Sequence, residues 1–523
     1  MTRLVMQATK GKAYGGKKQG PIAAMNRVGG QVRHLRNLMH AANAARYERE
    51  RKFIFFPEMS AQLPKLRKED PKLIGVPHRA AQMDLQRYEH ALKAFLTGMK
   101  EGTIKETAAE RERRKKRRAQ RYAIACAKAE RAGEPKPTMP PAILDAKGFP
   151  QFKRKGEDGF SFVGKECRFR MSGKQDRRGW QKISYIFFPK PIGWVRVRGI
   201  AIPASVLASA QTIRVMNAAA NKLPVGEERK RARMAISAQA NAFGNVLMVC
   251  ASQQPDGWTI AVQFLGPVRE YATPDQPVIG SDAGIKKLSE DAAILMTLSN
   301  GVPIKHVRVG AKAEKHIRRR NRIAARRRRA CEAQNRKASV NLRRAEDRLA
   351  RLHRRVREQR RNRLHQISRV LIDRYAGFAI EDLSLKGLVR TRLAKSFADA
   401  ALGELRRMLA YKADWAGRDW RIKARFERST GVCPDCHWIG PRLPLHVREW
   451  TCRMCGVVHD RDTAAARAIL ATAEQVGRVT SEPAGATRRK RGFAVRDGGR
   501  AKARASHVRS PANLDLAVCE PSQ

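Results

Sequence analysis

Acidic residues are scarce in this 523-residue chain: 48 Asp and Glu stand against 108 Lys and Arg, a formal charge of +60. A globular protein with that field repels itself unless a polyanion shares it, so nucleic acid is the expected partner and a membrane surface the second choice. Long apolar runs are missing as well. No stretch approaches the roughly 18 apolar residues of a spanning helix, which excludes a membrane-embedded protein of that type. The opening MTRLVMQATKGKAYGG has no apolar core of a secretion signal, so a cytoplasmic location is expected. Aromatics amount to only 6%, too few for a single-strand binder that works mainly by base stacking. No Ser/His/Asp arrangement and no phosphate-cradling glycine loop stands out.

What is present is enough for several cores. Hydrophobic residues make up 42%, and the length suits roughly three or four domains. Residues 1–15 suit a strand. From Pro21, Ile22, Met25, Val28, Val32 and Leu35 follow helical steps, and helical character runs to about Lys100 with a break at Gly75-Val76-Pro77. ERERRKKRRAQRY from Glu110 is a charge run: a solvated helix, a disordered insert or an RNA-contacting helix. AGEPKPTMPP reads as a linker. Between 148 and 270, GFSFV, SYIFFP, GWVRVRGIAIP, FGNVLMVCA and GWTIAVQFL read as short strands of a β-barrel or sandwich, which makes the helical block an insertion.

Residues 311–370 hold 20 Arg and 3 Lys against 5 acidic residues, a net charge of +18. Leu342, Ala345, Leu349, Leu352 and Val356 form one apolar seam, half of a charged helical hairpin. So much charge on one hairpin requires a phosphate partner. SFADAALGELRRMLAYKADWAG reads as one amphipathic helix and WRIKARFE as a strand. The Gly-, Ser- and Arg-rich tail 475–523 is expected to be disordered.

Cys433-x2-Cys436 and Cys452-x2-Cys455 are separated by 15 residues, the spacing of a four-cysteine zinc ribbon. Four thiolates close a tetrahedron, so the zinc would be structural; four free thiols are the alternative. His437 could compete as a ligand. Cys126, Cys167, Cys250, Cys331 and Cys519 receive no role.

Three acids stand at promising places. Asp282 lies on the strand-like VIGSDAG, Glu381 ends GFAIED, and Asp462 precedes the small-residue helix TAAARAIL. Brought together, they would bind Mg²⁺, and two such ions could serve phosphodiester hydrolysis. Singly, each has a plain structural explanation: a tight turn for Asp282, an exposed strand end for Glu381, a helix cap for Asp462. Asp382, Asp460 and Asp291 are nearby decoys.

The order of Asp-x-Gly-Ile-Lys, Arg-rich hairpin, Ile-Glu-Asp-Leu, Leu-x-Tyr-Lys-Ala, Ser-Thr-x-x-Cys-Pro-x-Cys, Cys-x-x-Cys-Gly and Asp-Arg-Asp closely resembles the TnpB proteins of transposons and the compact type V CRISPR effectors. The resemblance covers about 1–472 and is strong from 278 to 470. It implies an RNA-guided DNA endonuclease of multidomain α+β architecture. Residues 1–15 and 140–275 would form a wedge β-barrel with the helical recognition lobe 16–139 inserted. Residues 276–430 and 456–474 would form a RuvC-type, ribonuclease-H-like α/β nuclease carrying the hairpin 311–370 and the zinc ribbon 431–455. It implies Asp282, Glu381 and Asp462 as catalytic Mg²⁺ ligands, two ions, and Cys433, Cys436, Cys452 and Cys455 on structural Zn²⁺. The implied partners are a guide RNA and double-stranded target DNA with a short flanking motif, bound by a monomer or a homodimer on one guide in a prokaryotic cytoplasm. Two departures stand out: Ala464 occupies the family's usual Asn position, and His437 the usual Gly. The alternatives are a nuclease-weak RNA-guided protein acting by target occupancy, a guide-free zinc-ribbon nucleic-acid binder, and a DNA transposase.

Overall fold

The computed structural model describes residues 4–475, apart from 16–19, 105–106, 132, 155, 269, 290–291, 335–337, 384–393, 425–426, 442 and 445. The expected tail thus lies outside the described residues except for Gln475, and so does the decoy Asp291. The chain forms two compact units, Met1–Pro267 and Val268–Gln523. Among the described residues no helix is long and apolar enough to cross a membrane.

The first unit begins with β1 (Leu4–Tyr14), followed by α1 (Pro21–Glu50), α2 (Phe56–Glu69), α3 (His78–Lys100) and α4 (Ala108–Arg131). Pro21 opens α1, where a missing N–H costs nothing. Met25, Val28, Val32, Leu35 and Met39 are buried along one face of α1, as their spacing predicts. Asp84 on α3 is 1% exposed and takes Arg36 at 2.8 Å and Lys153 at 3.1 Å. Burial alone would raise its carboxyl pKa; the two cations more than offset that and hold it below the usual range. The charge run falls on α4, so it is helical, and it is mostly exposed.

The strands β2 (Gly159–Val163), β3 (Arg168–Gln175), β4 (Gln181–Phe188), β5 (Gly193–Arg198), β6 (Ala201–Ile202), β7 (Asn245–Gln254) and β8 (Gly257–Pro267) join β1. They pair in the order β2-β7-β8-β1-β5-β4-β3, with β6 on β4. β1 does join this domain, antiparallel to β8 and β5. Among the described residues the expected barrel does not close: β2 and β3 remain as edges. The stretch expected to be all β also contains two helices, α5 (Ala204–Ala220) and α6 (Glu227–Phe243). Their alanine-rich segments favour helix, and neither has the period-two alternation of a strand.

In the second unit, β9 (Gln276–Asp282), β10 (Lys286–Lys287), β11 (Ala292–Leu298) and β12 (Pro303–Val307) precede α7 (Val309–Ala333) and α8 (Val340–Arg374). These helices are the expected charged hairpin, with Leu342, Ala345 and Val356 buried. Then come β13 (Tyr375–Glu381), α9 (Ala394–Ala400), α10 (Leu402–Ala416), β14 (Asp419–Lys423), β15 (Glu449–Thr451), β16 (Val458–Asp460), α11 (Arg461–Thr472) and β17 (Glu474–Gln475). The segment read as one amphipathic helix is two, because Ala401 turns left-handed at φ 49°. The main sheet has the order β10-β11-β9-β13-β14-β17, with β12 on β11. Its centre, β9-β13-β14, is parallel.

Candidate active site and cysteine ribbon

Parallel strands with aligned register end side by side. Ile380 pairs with Ser281, so Glu381 and Asp282 are the next residues along, at the carboxyl ends of β13 and β9. Neighbouring strands lie about 4.8 Å apart, and residues in register point to the same face. That end of an open α/β sheet is where ligands usually bind.

Asp462 arrives from the opposite direction in sequence. It sits in the first turn of α11, which packs on β9. The approach is close because small side chains line both surfaces. Ala464, Ala465, Ala466 and Ala468 are buried. At Gly280 a Cβ would stand 2.1 Å from the Ala466 carbonyl oxygen, so only glycine fits. Asp460, not Asp462, caps the helix: its Oδ1 accepts from the Thr463 N–H at 2.8 Å and the Thr463 hydroxyl at 2.7 Å. Asp462 is thereby left to face Arg448, whose Nη1 donates to its Oδ2 at 3.4 Å. The decoy Asp382 is ion-paired to Arg406 at 2.8 Å.

The three acids share one electrostatic site. The Asp282 carboxyl is pushed up to about 7, first by burial, then by the negative charges of Glu381 and Asp462, with Arg461 opposing. Like charges held together are the signature of a site that a cation would relieve. The donor set, all carboxylate oxygen, suits Mg²⁺. The three are looser than a single-ion cage: among the described residues they do not form a set whose ligand atoms all lie within 4.8 Å of one another.

The four cysteines do form such a set. Sγ of Cys433 lies 3.6 Å from that of Cys455, and Sγ of Cys436 lies 3.5 Å from that of Cys452. Thiolates bound at about 2.3 Å round a tetrahedral zinc stand ~3.8 Å apart, so the residues fit the metal. Each knuckle closes on its own backbone. His437 N–H donates to the Cys433 carbonyl at 3.0 Å, and Gly456 N–H to the Cys452 carbonyl at 2.9 Å. These two residues occupy equivalent places, at φ 61° and 72°. The left-handed conformation costs a non-glycine residue about 1 kcal/mol. His437→Gly is therefore expected to tighten apparent zinc affinity roughly fivefold, the equivalent of ~1 kcal/mol, in a chelator competition; unchanged affinity would show no strain there.

His437 is not part of the cysteine set. The histidine that is near was missed: His459, 5% exposed, has Nε2 3.2 Å from Cys433 Sγ. With Asp435 it makes a second ligand cluster on Cys433. Its signal in sequence was the run Cys455-x3-His459. Arg467 on α11 holds Asp435 at 2.7 Å, which ties the ribbon to the helix that carries Asp462. Ser429 was also missed; its hydroxyl donates to Glu381 Oε1.

Elsewhere, the solvent side of the first unit's sheet gathers scarce aromatics against arginine. Arg170 lies 5.1 Å from the Trp194 ring centre and 5.8 Å from that of Tyr185. Arg168 covers Phe187 at 5.3 Å and Arg198 covers Tyr14 at 5.2 Å.

Residues 259–392 match the OrfB_IS605 family model, "Probable transposase", and residues 403–469 the "Cas12f1-like, TNB domain". The chain is 40% identical over 195 residues to a "Putative RNA-guided DNA endonuclease" of Streptomyces pristinaespiralis, 37% of this chain and 44% of that one. A like-named protein of Mycobacterium tuberculosis is 28% identical over 215 residues, 38% and 42% of the two chains. "Putative RNA-guided DNA endonuclease InsQ" of Escherichia coli is 26% identical over 345 residues, 63% and 69%. The chain thus spans less than half the length of the first two relatives. It also resembles, at 11% identity and a TM-score of 0.35, a chain of "Cryo-EM structure of the Cas12f1-sgRNA-target DNA complex", over 89% of this chain and 98% of that one.

Proposed function

We infer that this chain, which carries the "Probable transposase" and "Cas12f1-like, TNB" family domains, is an RNA-guided DNA endonuclease. The observation that carries the reading is the meeting of Asp282, Glu381 and Asp462 at one end of a parallel sheet, next to a cysteine ribbon. The printed names of the relatives support it.

The second unit is assigned as the nuclease, a RuvC-type, ribonuclease-H-like domain over 276–430 and 456–474 with the ribbon 431–455 inserted. The first unit is assigned as the wedge sheet with its helical recognition insert. Asp282, Glu381 and Asp462 would hold Mg²⁺, which when bound polarises the phosphodiester and lowers the pKa of its water. The chain's own residues supply the rest. The hairpin of α7 and α8 presents its arginines to phosphates, neutralising backbone charge without reading sequence. Sequence would be read by guide base pairing, which asks of the protein only charge, shape and a short flanking-motif reader. The Arg–aromatic face of the first unit suits unpaired nucleotides of the guide, where a ring or a guanidinium plane stacks on a base.

A second reading, target occupancy with little cutting, rests on one observation. Ala464, at the family's usual Asn position, is only 3% exposed and is packed into the helix–sheet contact.

The test is purification from cells expressing the native locus, with sequencing of RNA that survives a high-salt wash. A discrete RNA with one variable end is expected. Heterogeneous RNA, or none, would sink the guide and leave a zinc-ribbon binder or a transposase. DNA matching the variable end is then offered with Mg²⁺: cutting supports the nuclease, and binding without cutting supports occupancy.

A further inference from the structure

We propose that Ser429 is a positioning residue for the acidic site, and that the cysteine ribbon is what holds it in place. The proposal rests on reading the three acids as the metal-holding site.

The geometry begins at Glu381. Its carboxylate ends a strand and has two oxygens free to rotate about the last side-chain bond. Ser429 donates its hydroxyl hydrogen to Oε1. Among the described residues no other side chain is seen to hydrogen-bond this carboxylate. The neighbouring cation does not: Lys423, in register with Glu381 on β14 and 1% exposed, spends its ammonium on Glu427 at 3.1 Å and on Thr472. A hydroxyl on Oε1 selects one rotamer and leaves Oε2 for a cation. Such outer partners orient ligating carboxylates, and their loss typically weakens metal binding by about 10–100-fold.

Ser429 itself lies in no helix or strand, so something else must fix it. The residue before it does so. Arg428 sends Nη2 to the Gly440 carbonyl at 2.9 Å, across the mouth of the first knuckle. Gly440 N–H donates to the Gly431 carbonyl at 2.9 Å, and Val432 bridges Ile439. Inside that bridge, Cys433 N–H donates to the Trp438 carbonyl at 2.9 Å. Gly431 is at φ 76°, and a Cβ there would meet the Pro441 carbonyl oxygen at 2.7 Å. The chain from Ser429 to Cys433 is therefore one short rigid lead. Closing the cysteines sets the knuckle, the knuckle sets Arg428 and Gly431, and these place the serine hydroxyl against Glu381. The ribbon would act on the acidic site as a mechanical support, in addition to any contact it makes with nucleic acid.

The test uses the full-length protein with co-purified RNA digested away, and Mn²⁺ as the probe, read by electron paramagnetic resonance and calorimetry. Ser429→Ala is expected to weaken Mn²⁺ binding roughly tenfold while zinc stays at wild-type content. Ser429→Thr, which keeps the hydroxyl, is expected to restore wild-type affinity. Wild-type Mn²⁺ affinity in Ser429→Ala would overturn the proposal. So would loss of zinc from that variant, which would mark a role in the ribbon fold alone, or failure of Ser429→Thr to restore binding. Asp282→Ala separates the two levels of inference: if it too binds Mn²⁺ like wild type, the acidic-site reading itself falls.

Discussion

Asp282→Ala is expected to lower target cleavage by about a thousandfold or more and to leave association with RNA intact. The size follows from what the side chain contributes. Charge stabilisation at a metal-assisted phosphodiester is worth several kcal/mol, and each 1.36 kcal/mol is a factor of ten. Asp282 is the group whose carboxyl is pushed up to about 7 by burial and by both other acids. On the proposed reading, removing it would take away one of the three carboxylates that hold the metal. The fold should tolerate the change. Its loss relieves the repulsion with Glu381 and Asp462. The measurement is single-turnover cleavage of matched DNA beside a filter-binding assay for RNA. Residual cutting within tenfold of wild type would move the chemistry elsewhere. Asp382→Ala is the matched control, because that carboxylate is occupied by Arg406 and should leave the rate within a few-fold.

Cys452→Ser is expected to empty the ribbon of zinc and unfold it locally. The ribbon has little else to hold it. Its strands β15 and β16 are three residues each, and Ile439, Met454 and Val458 are 62%, 70% and 64% exposed rather than packed. For such modules the apparent zinc-binding free energy, about 10–16 kcal/mol, is the folding free energy. Cys452 is the better choice than Cys433, because His459 stands 3.2 Å from Cys433 Sγ and could replace it as fourth ligand. Zinc content should fall from one per chain to near zero, and amide exchange should rise across 431–460. The buried face of α1 in the first unit should keep its protection. Full zinc occupancy in Cys452→Ser would mean that a three-cysteine site with another donor is enough.

Local features were the most legible ones. The cysteine spacing predicted the knuckles because each closes through hydrogen bonds only four residues apart, and no distant contact is needed. The α7–α8 hairpin was legible because its apolar seam repeats at helical steps. Two misreadings have physical causes. The alanine-rich helices α5 and α6 were hidden by strands on either side. The long helix read through Ala401 was broken there by a left-handed residue that an alanine does not advertise.

The sequence by itself determined which groups were available: three separated carboxylates, four paired thiols and a large excess of cations. Those follow from residue type and short-range spacing. Only the tertiary structure decided which of them meet. Asp282 and Glu381 are neighbours because β9 and β13 run parallel in one register, a choice made by the sheet as a whole. Asp462 rather than Asp460 was left for the site because the cap went to the residue whose Oδ1 could reach the Thr463 N–H. Ser429 and His459 gained their roles from contacts 48 and 26 residues away, distances over which composition and periodicity carry no information.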